Sequence, residues 1–218
     1  MLADREFLES LLTFIGKKLR HEVEGLLIGG NAMLYYGLKD QTKDLGIVFF
    51  HRRDLAGIVR IILSHPIYRK AKVLRELPYD IKPELRKKGE PTVIGNSDIP
   101  RFDLFYRYVF SVDIEKIFST TKRSIRFDLL KLKIIDPENL IFLKAVSGRP
   151  VDIEDIARLT KNLEIDWKNI LENVKEYYKF DKKPVWFALG TLYDINKKEE
   201  IIPKFVLEEI AKLFGVKL

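Results

Sequence analysis

The chain has 218 residues, 46% of them hydrophobic and 33% charged, which is enough apolar material for one large domain or two small ones and too much for a disordered chain. It contains no cysteine, which excludes disulfides, thiolate metal ligands and cysteine nucleophiles. Thirty-nine Lys and Arg against 32 Asp and Glu leave a net charge of +7, which favours polyanionic partners such as nucleotides and RNA.

The abundance of Lys, Glu and Ile, with a single Gln41, is equally the habit of a heat-adapted surface. No apolar run approaches the roughly 18 residues of a membrane span, and the start MLADREFLESLL lacks the order of a secretory leader. The expectation is a cytoplasmic protein with no membrane partner. His21, His51 and His65 have none of the spacings of a zinc site, so any metal would sit on oxygen ligands, with Mg²⁺ or Mn²⁺ the better fit.

In chain order, Phe7, Leu8, Leu11, Leu12 and Ile15 fall at helical spacing and predict an amphipathic helix over 4–20, with Lys17, Lys18 and Arg20 towards its C-terminal end. A short apolar strand, Leu26 to Ile28, leads to a turn at Gly29 and Gly30, and Asn31 to Tyr36 resume a helical pattern that Gly37 ends. Asp44 to Phe50 reads as a strand and Leu55 to Leu63 as a helix. Lys72 to Leu77, Pro91 to Ile94 and Arg101 to Tyr108 predict three more strands, the first two separated by the polar, proline-bearing stretch Pro78 to Glu90. Asp113 to Ser119 is a short helix, and Ser124 to Ile135 is an apolar-basic segment containing a strand. From Pro137 the pattern is helical throughout: Pro137 to Gly148, Asp152 to Leu163, Trp167 to Tyr178, Val185 to Lys197 and Pro203 to Phe214. The fold class expected is therefore α/β, a mixed sheet flanked by helices over 1–136, followed by an all-helical domain over 137–218.

The chemistry is concentrated in "LLIGGNAMLYYGLKDQTKDLGIVFF", Leu26 to Phe50. Backbone amides at a glycine turn that opens a helix hold a phosphate with the helix dipole behind them, and Gly29, Gly30 and Asn31 have that context. The alternative is a tight strand-to-helix connection and nothing more. Asp44 follows Gly30 by 14 positions, behind Thr42 and Lys43, at the start of an extended apolar run. In "RFDLF", Asp103 stands in the middle of a strand, where a charge is costly to bury unless it binds metal or is paired, here with Arg101 or Arg107.

These pieces resemble the nucleotidyltransferase superfamily typified by DNA polymerase β and the minimal nucleotidyltransferases. Its pattern is a Gly-Gly or Gly-Ser turn, an Asp-x-Asp strand about a dozen residues on, and a third acid on a neighbouring strand; Gly29, Gly30, Asp44 and Asp103 fall on those positions in order. Downstream, "DPENLIFLKAVSGRPVDIEDIARL" is similar to the Lys-bearing and Asp-rich helices of the toxin-like branch, the nucleotidyltransferases of abortive-infection systems and their uncharacterised prokaryotic relatives. The resemblance implies that Gly29, Gly30, Asn31, Thr42 and Lys43 bind the nucleotide, that Asp44 and Asp103 are metal ligands and catalytic, and that Lys144 contacts phosphate, with Asp152 and Asp155 as the late acidic motif. It implies NTP as substrate and Mg²⁺ or Mn²⁺ as cofactor. The chain departs from the pattern at Gly46, where the second strand carboxylate belongs: i and i+2 of a strand face the same way, and Gly46 offers no ligand.

Residue by residue, Lys144 also reads as a solvated helix lysine, and Asp152 with Asp155 as a helix cap, the reading ranked first. Arg52, Arg53, Arg86 to Lys88, Lys122, Arg123, Lys131 and Lys133 form either an RNA path or solvated faces, while Tyr35, Tyr36, Tyr177, Tyr178 and Trp186 favour packing over base stacking. Two functions stand side by side: transfer of a nucleotidyl group to RNA, protein or a small molecule through a degenerate metal site, or a catalytically inactive nucleotide- or RNA-binding module related to toxin-antitoxin systems.

Overall fold

A computed structural model describes residues 2–74, 76–86 and 88–217. After β1 (Ala3–Asp4), Asp4 caps α1 (Arg5–Lys18) by accepting the Phe7 N–H, and the helix buries Leu8, Leu11, Leu12 and Ile15. The apolar run of β2 (Val23–Ile28) passes directly into α2 (Gly29–Tyr35), so Gly29 and Gly30 are the first helical residues rather than a turn ahead of the helix. Then come β3 (Gln41–Thr42), β4 (Asp44–Phe49), α3 (Arg52–Ser64), a 3₁₀ turn at Pro66–Tyr68 and β5 (Lys72–Val73). The strand expected over Lys72 to Leu77 is thus two residues long before Arg75, which lies outside the described residues.

The stretch expected to be irregular contains a short helix, α4 (Pro83–Arg86). It is followed by β6 (Thr92–Asn96), β7 (Ile99–Tyr106), β8 (Tyr108–Val109), β9 (Val112–Asp113) and α5 (Glu115–Thr120). Ser124 to Ile135 resolves into a hairpin of β10 (Ser124–Phe127) and β11 (Leu130–Ile134), turned at Asp128 with φ +56°. Five helices follow among the described residues: α6 (Pro137–Ser147), α7 (Pro150–Asn162), α8 (Trp167–Phe180), α9 (Lys182–Glu199) and α10 (Lys204–Leu213).

The chain divides into two compact units. The first, Met1–Asp80, Gly89–Val109 and Ile114–Ile135, contains a seven-stranded mixed sheet in the order β10-β11-β2-β4-β7-β6-β5. Two pairs are parallel, β11 with β2 and β4 with β7, and the remaining neighbours are antiparallel. The three inner strands β2, β4 and β7 are apolar and buried at Leu26, Leu27, Leu45, Ile47, Val48, Phe49, Phe102, Leu104 and Phe105, the pattern of strands covered on both faces. Register matters most at one end. Asp44 lies opposite Arg101 and Gly46 opposite Asp103 in the parallel β4–β7 pair, and Ile28 lies opposite Gly46 on the other side. With period-2 alternation, residues 44, 46, 101 and 103 therefore share one face.

The second unit takes in Asp136–Leu218 and two earlier segments, Ile81–Lys88 and Phe110–Asp113. Its centre is α6, buried on every side from Asn139 to Val146 and closed by Gly148, whose left-handed φ of +63° turns the chain while its N–H bonds the Lys144 carbonyl. α7, α8 and α9 pack around α6, and Phe142 stacks on Tyr177 at 4.8 Å. The Tyr177 hydroxyl and the Asn173 amide both donate to the buried Asn139 Oδ1, satisfying a polar atom that burial would otherwise penalise. Tyr177 packs as expected, while Trp186 is half-exposed and meets Phe214 edge-on. Among the described residues no helix is long and apolar enough to cross a membrane.

Candidate functional site

Asp44 opens β4 and is half-buried, while Asp103 sits mid-strand in β7 with a side chain only 9% exposed. Both carboxylates reach the same guanidinium. Arg101 places one terminal nitrogen 2.6 Å from Asp44 Oδ1 and donates from Nε to Asp103 Oδ1 at 3.1 Å. The other side of that guanidinium lies over the Tyr79 ring at 4.8 Å, and Tyr79 also hydrogen-bonds the Asp103 carboxylate. The ion pair weighed for Asp103 from sequence is thus formed with Arg101; Arg107 goes to Glu115 instead.

The seat of Arg101 is built by its neighbours. The hydroxyl of buried Tyr68 donates to the Pro100 carbonyl at 2.7 Å, and the Arg101 N–H bonds the Lys43 carbonyl, fixing the start of β7. Gly95, at a bulge in β6, leaves space for the arginine stem: a Cβ there would lie 2.7 Å from Arg101 Cβ. Gly46 is bounded less tightly. A Cβ on it would stand 3.0 Å from Ile28 Cγ1 and 3.3 Å from the Ile28 carbonyl oxygen. Burial pushes the Asp103 carboxyl up to about 6, Arg101 opposing and Asp44 adding to the rise.

The glycine pair reaches the same end of the sheet. Gly29 has φ +68°, which disfavours any L side chain, and a Cβ at Gly30 would meet Thr42 Oγ1 at 2.5 Å. Thr42 is buried and its hydroxyl donates to the Asp44 carbonyl. Asn31 turns inward: it is fully buried, and its amide donates to the Gly46 carbonyl at 3.1 Å, tying α2 to β4. Lys43 is exposed and, with Asp44 and Arg101, lines an open cleft of about 590 Å³. Gly29, Gly30, Asn31, Thr42, Lys43, Asp44 and Asp103 therefore lie near one another at this end of the sheet.

A pair of divalent ions does not fit this donor set. Its two carboxylates are already bridged by a permanent cation, and the third position is a glycine that offers no ligand. Among the described residues, no group of three or more His, Asp or Glu is placed to hold a metal ion.

Lys144 belongs to the helical unit and is neither solvated nor exposed. Its ammonium, 5% exposed, donates to Asp152 Oδ1 at 3.0 Å and Asp155 Oδ2 at 2.6 Å, and Arg149 Nε donates to Asp152 Oδ2 at 2.7 Å. The capping reading of Asp152 is corrected: the N-cap of α7 is Arg149, with no side-chain cap bond, and Asp152 sits inside the first turn facing the two cations. Burial raises the Asp152 carboxyl, but Lys144 and Arg149 more than reverse it and hold it below its usual range.

Sequence reasoning gave Arg101 only as one of two ion-pair partners and missed Tyr79 and Gly95. The i, i+2 spacing of Arg101 and Asp103 carried the signal for the shared face; the register that adds Asp44 opposite Arg101 left none.

No protein-family model matches the chain, and no curated protein does. Among solved structures the fold is similar to the crystal structure of an antigenic nucleotidyltransferase-like protein from Paracoccidioides brasiliensis, with TM-score 0.54 and 14% identity over 99% of this chain and 100% of that one. A protein from H. pylori assigned as a nucleotidyltransferase gives TM-score 0.44 and 16% identity, over 98% of this chain and 95% of that one. The mixed sheet with its flanking and following helices is a nucleotidyltransferase-like fold.

Proposed function

We propose that this chain is a nucleotide-binding module of nucleotidyltransferase-like fold that has given up two-metal transfer chemistry. The observation that carries the reading is the Arg101 bridge between Asp44 and Asp103 beside a Gly46 that supplies no ligand. In-line nucleotidyl transfer needs concentrated positive charge on both the attacking and leaving oxygens, and a guanidinium spent on two carboxylates does not supply it. Removing one such stabilising group costs about 2.7–4 kcal/mol of barrier, and here a carboxylate is missing while the other two are engaged. Phosphate would be held by the backbone amides opening α2 and by the exposed Lys43, on the rim of the cleft that Arg101 also lines.

One observation favours the second reading, an active transferase acting on RNA, protein or a small molecule with Mg²⁺: Asp44 and Asp103 do converge on one face beside the glycine bend. Calorimetric titration with ATP in EDTA and in Mg²⁺, alongside incubation with labelled NTPs and total RNA, separates the two. Binding indifferent to EDTA with no transferred label supports the module. Label transfer that disappears in Asp103→Asn supports the enzyme and overturns it.

A further inference from the structure

We infer that Arg101 is a resident cation standing in for a divalent ion: it closes the Asp44–Asp103 pair to metals, and removing its guanidinium alone opens a Mn²⁺ site on those two carboxylates. This deepens the proposal above and rests on its reading of the acidic pair as closed.

The geometry distinguishes this role from an ordinary surface ion pair. Surface pairs hold one acid with one base, are half in water and contribute little. Here one guanidinium serves two acids at 2.6 and 3.1 Å, and one of those acids is 9% exposed in the middle of an inner strand. The guanidinium is also seated on purpose, with Tyr79 covering one face and Gly95 clearing the stem. Without a cation, two carboxylates converging on one point repel each other, and one of them is buried where ionisation is costly. Some positive group must stay there. Arginine remains charged at every pH the protein meets and is covalently tethered, so its local concentration exceeds that of any free divalent ion. Gly46 fits the same arrangement, since an acid there would add a third negative charge beside the two that Arg101 contacts.

A merely structural ion pair makes a different forecast from a resident cation. If the pair is structural, Arg101→Gln loses stability and regains nothing from metal. For a resident cation, Arg101→Gln and Arg101→Ala are destabilised and recover with Mn²⁺, because a ligand that binds only the folded state stabilises it.

The experiment is Mn²⁺ titration without nucleotide, read by electron paramagnetic resonance and by thermal unfolding, on the intact protein, Arg101→Gln, Arg101→Ala and Arg101→Gln/Asp44→Asn. The expected result is Mn²⁺ binding at least about tenfold tighter in the two single variants than in the intact protein, lost again in the double variant. A Mn²⁺ site in the intact protein that Asp44→Asn abolishes overturns the inference, as do folded single variants with no gain. If neither variant folds, the Arg101 Nε–H resonance of the intact protein decides: unchanged by Mn²⁺ it supports the inference, and broadened it overturns it. Because no nucleotide is present, failure here is distinct from failure of the nucleotide-binding reading.

Discussion

Asp103 stands directly opposite Gly46 in the parallel β4–β7 pair, so the buried acid of the site faces a residue with no side chain. Restoring the missing carboxylate is therefore not a simple repair. Gly46→Asp must place its Cβ against Ile28 Cγ1 at 3.0 Å and bring a third negative charge beside Asp103. The expected outcome is a loss of about 1–3 kcal/mol by urea denaturation, with no gain in metal affinity while Arg101 is in place. A folded Gly46→Asp protein that binds Mn²⁺ would contradict it.

Gly95→Ala tests the arginine seat from the neighbouring strand. The added methyl lies 2.7 Å from Arg101 Cβ, so the arginine stem or β6 must move, and the bridge to Asp44 and Asp103 is disturbed without touching a charged group. A destabilisation of about 1–3 kcal/mol is expected, smaller when Arg101 is already Ala, which a double-mutant cycle on urea midpoints reads directly.

The two perturbed acids pull the pH dependence in opposite directions. Asp103 titrates in the folded protein at about 6 against an ordinary 3.8, so the folded state binds the extra proton in that window and stability falls as pH rises through it. The fall is on the order of 3 kcal/mol at most, and Asp103→Asn should flatten it. Asp152 is held low in spite of its burial, so its contribution is present above its unfolded value and is lost as pH falls through the folded one. Urea midpoints at pH 4.5 and 7 for the intact protein and Asp103→Asn check the first part; a larger pH dependence in the variant would refute it.

How much of this was legible in the sequence follows from what sets each feature. The inner strands announced themselves as continuous apolar runs, and the glycine bend with its two acids was visible because order along the chain was enough to find it. Arg101 was half-visible, since i, i+2 alternation gives the face it shares with Asp103, while its hold on Asp44 depends on a register between strands more than fifty residues apart in sequence. The β10–β11 hairpin stayed merged because its turn uses Asp128 in a left-handed conformation, where no glycine marks the break. Asp152 misled for a further reason: a local capping rule competes with charge pairing to α6, and inside a packed helical unit the pairing won.

Lys144 offers the clearest stability test. Lys144→Met leaves Asp152 and Asp155 buried without the cation between them and should cost about 3–5 kcal/mol, whereas Lys144→Met combined with Asp152→Asn and Asp155→Asn should recover much of that loss. Thermal and urea unfolding of both proteins provide the measurement. If the single variant were as stable as the intact protein, the cluster would not be the buried charge network its distances indicate.

The parallel pairing of β2 with β11 matches Val23 to Leu130, so an inner strand made early during synthesis must wait for one made late. Until the hairpin of β10 and β11 has left the ribosome, one edge of β2 is an open row of unpaired amides and carbonyls on an apolar ribbon, the kind of surface that recruits other chains. The polypeptide thus cannot complete its sheet progressively from the N-terminus. A nascent fragment ending before Ser124 is expected to be sticky and dependent on chaperones, and only a chain that has passed Ile134 can seal that edge for itself.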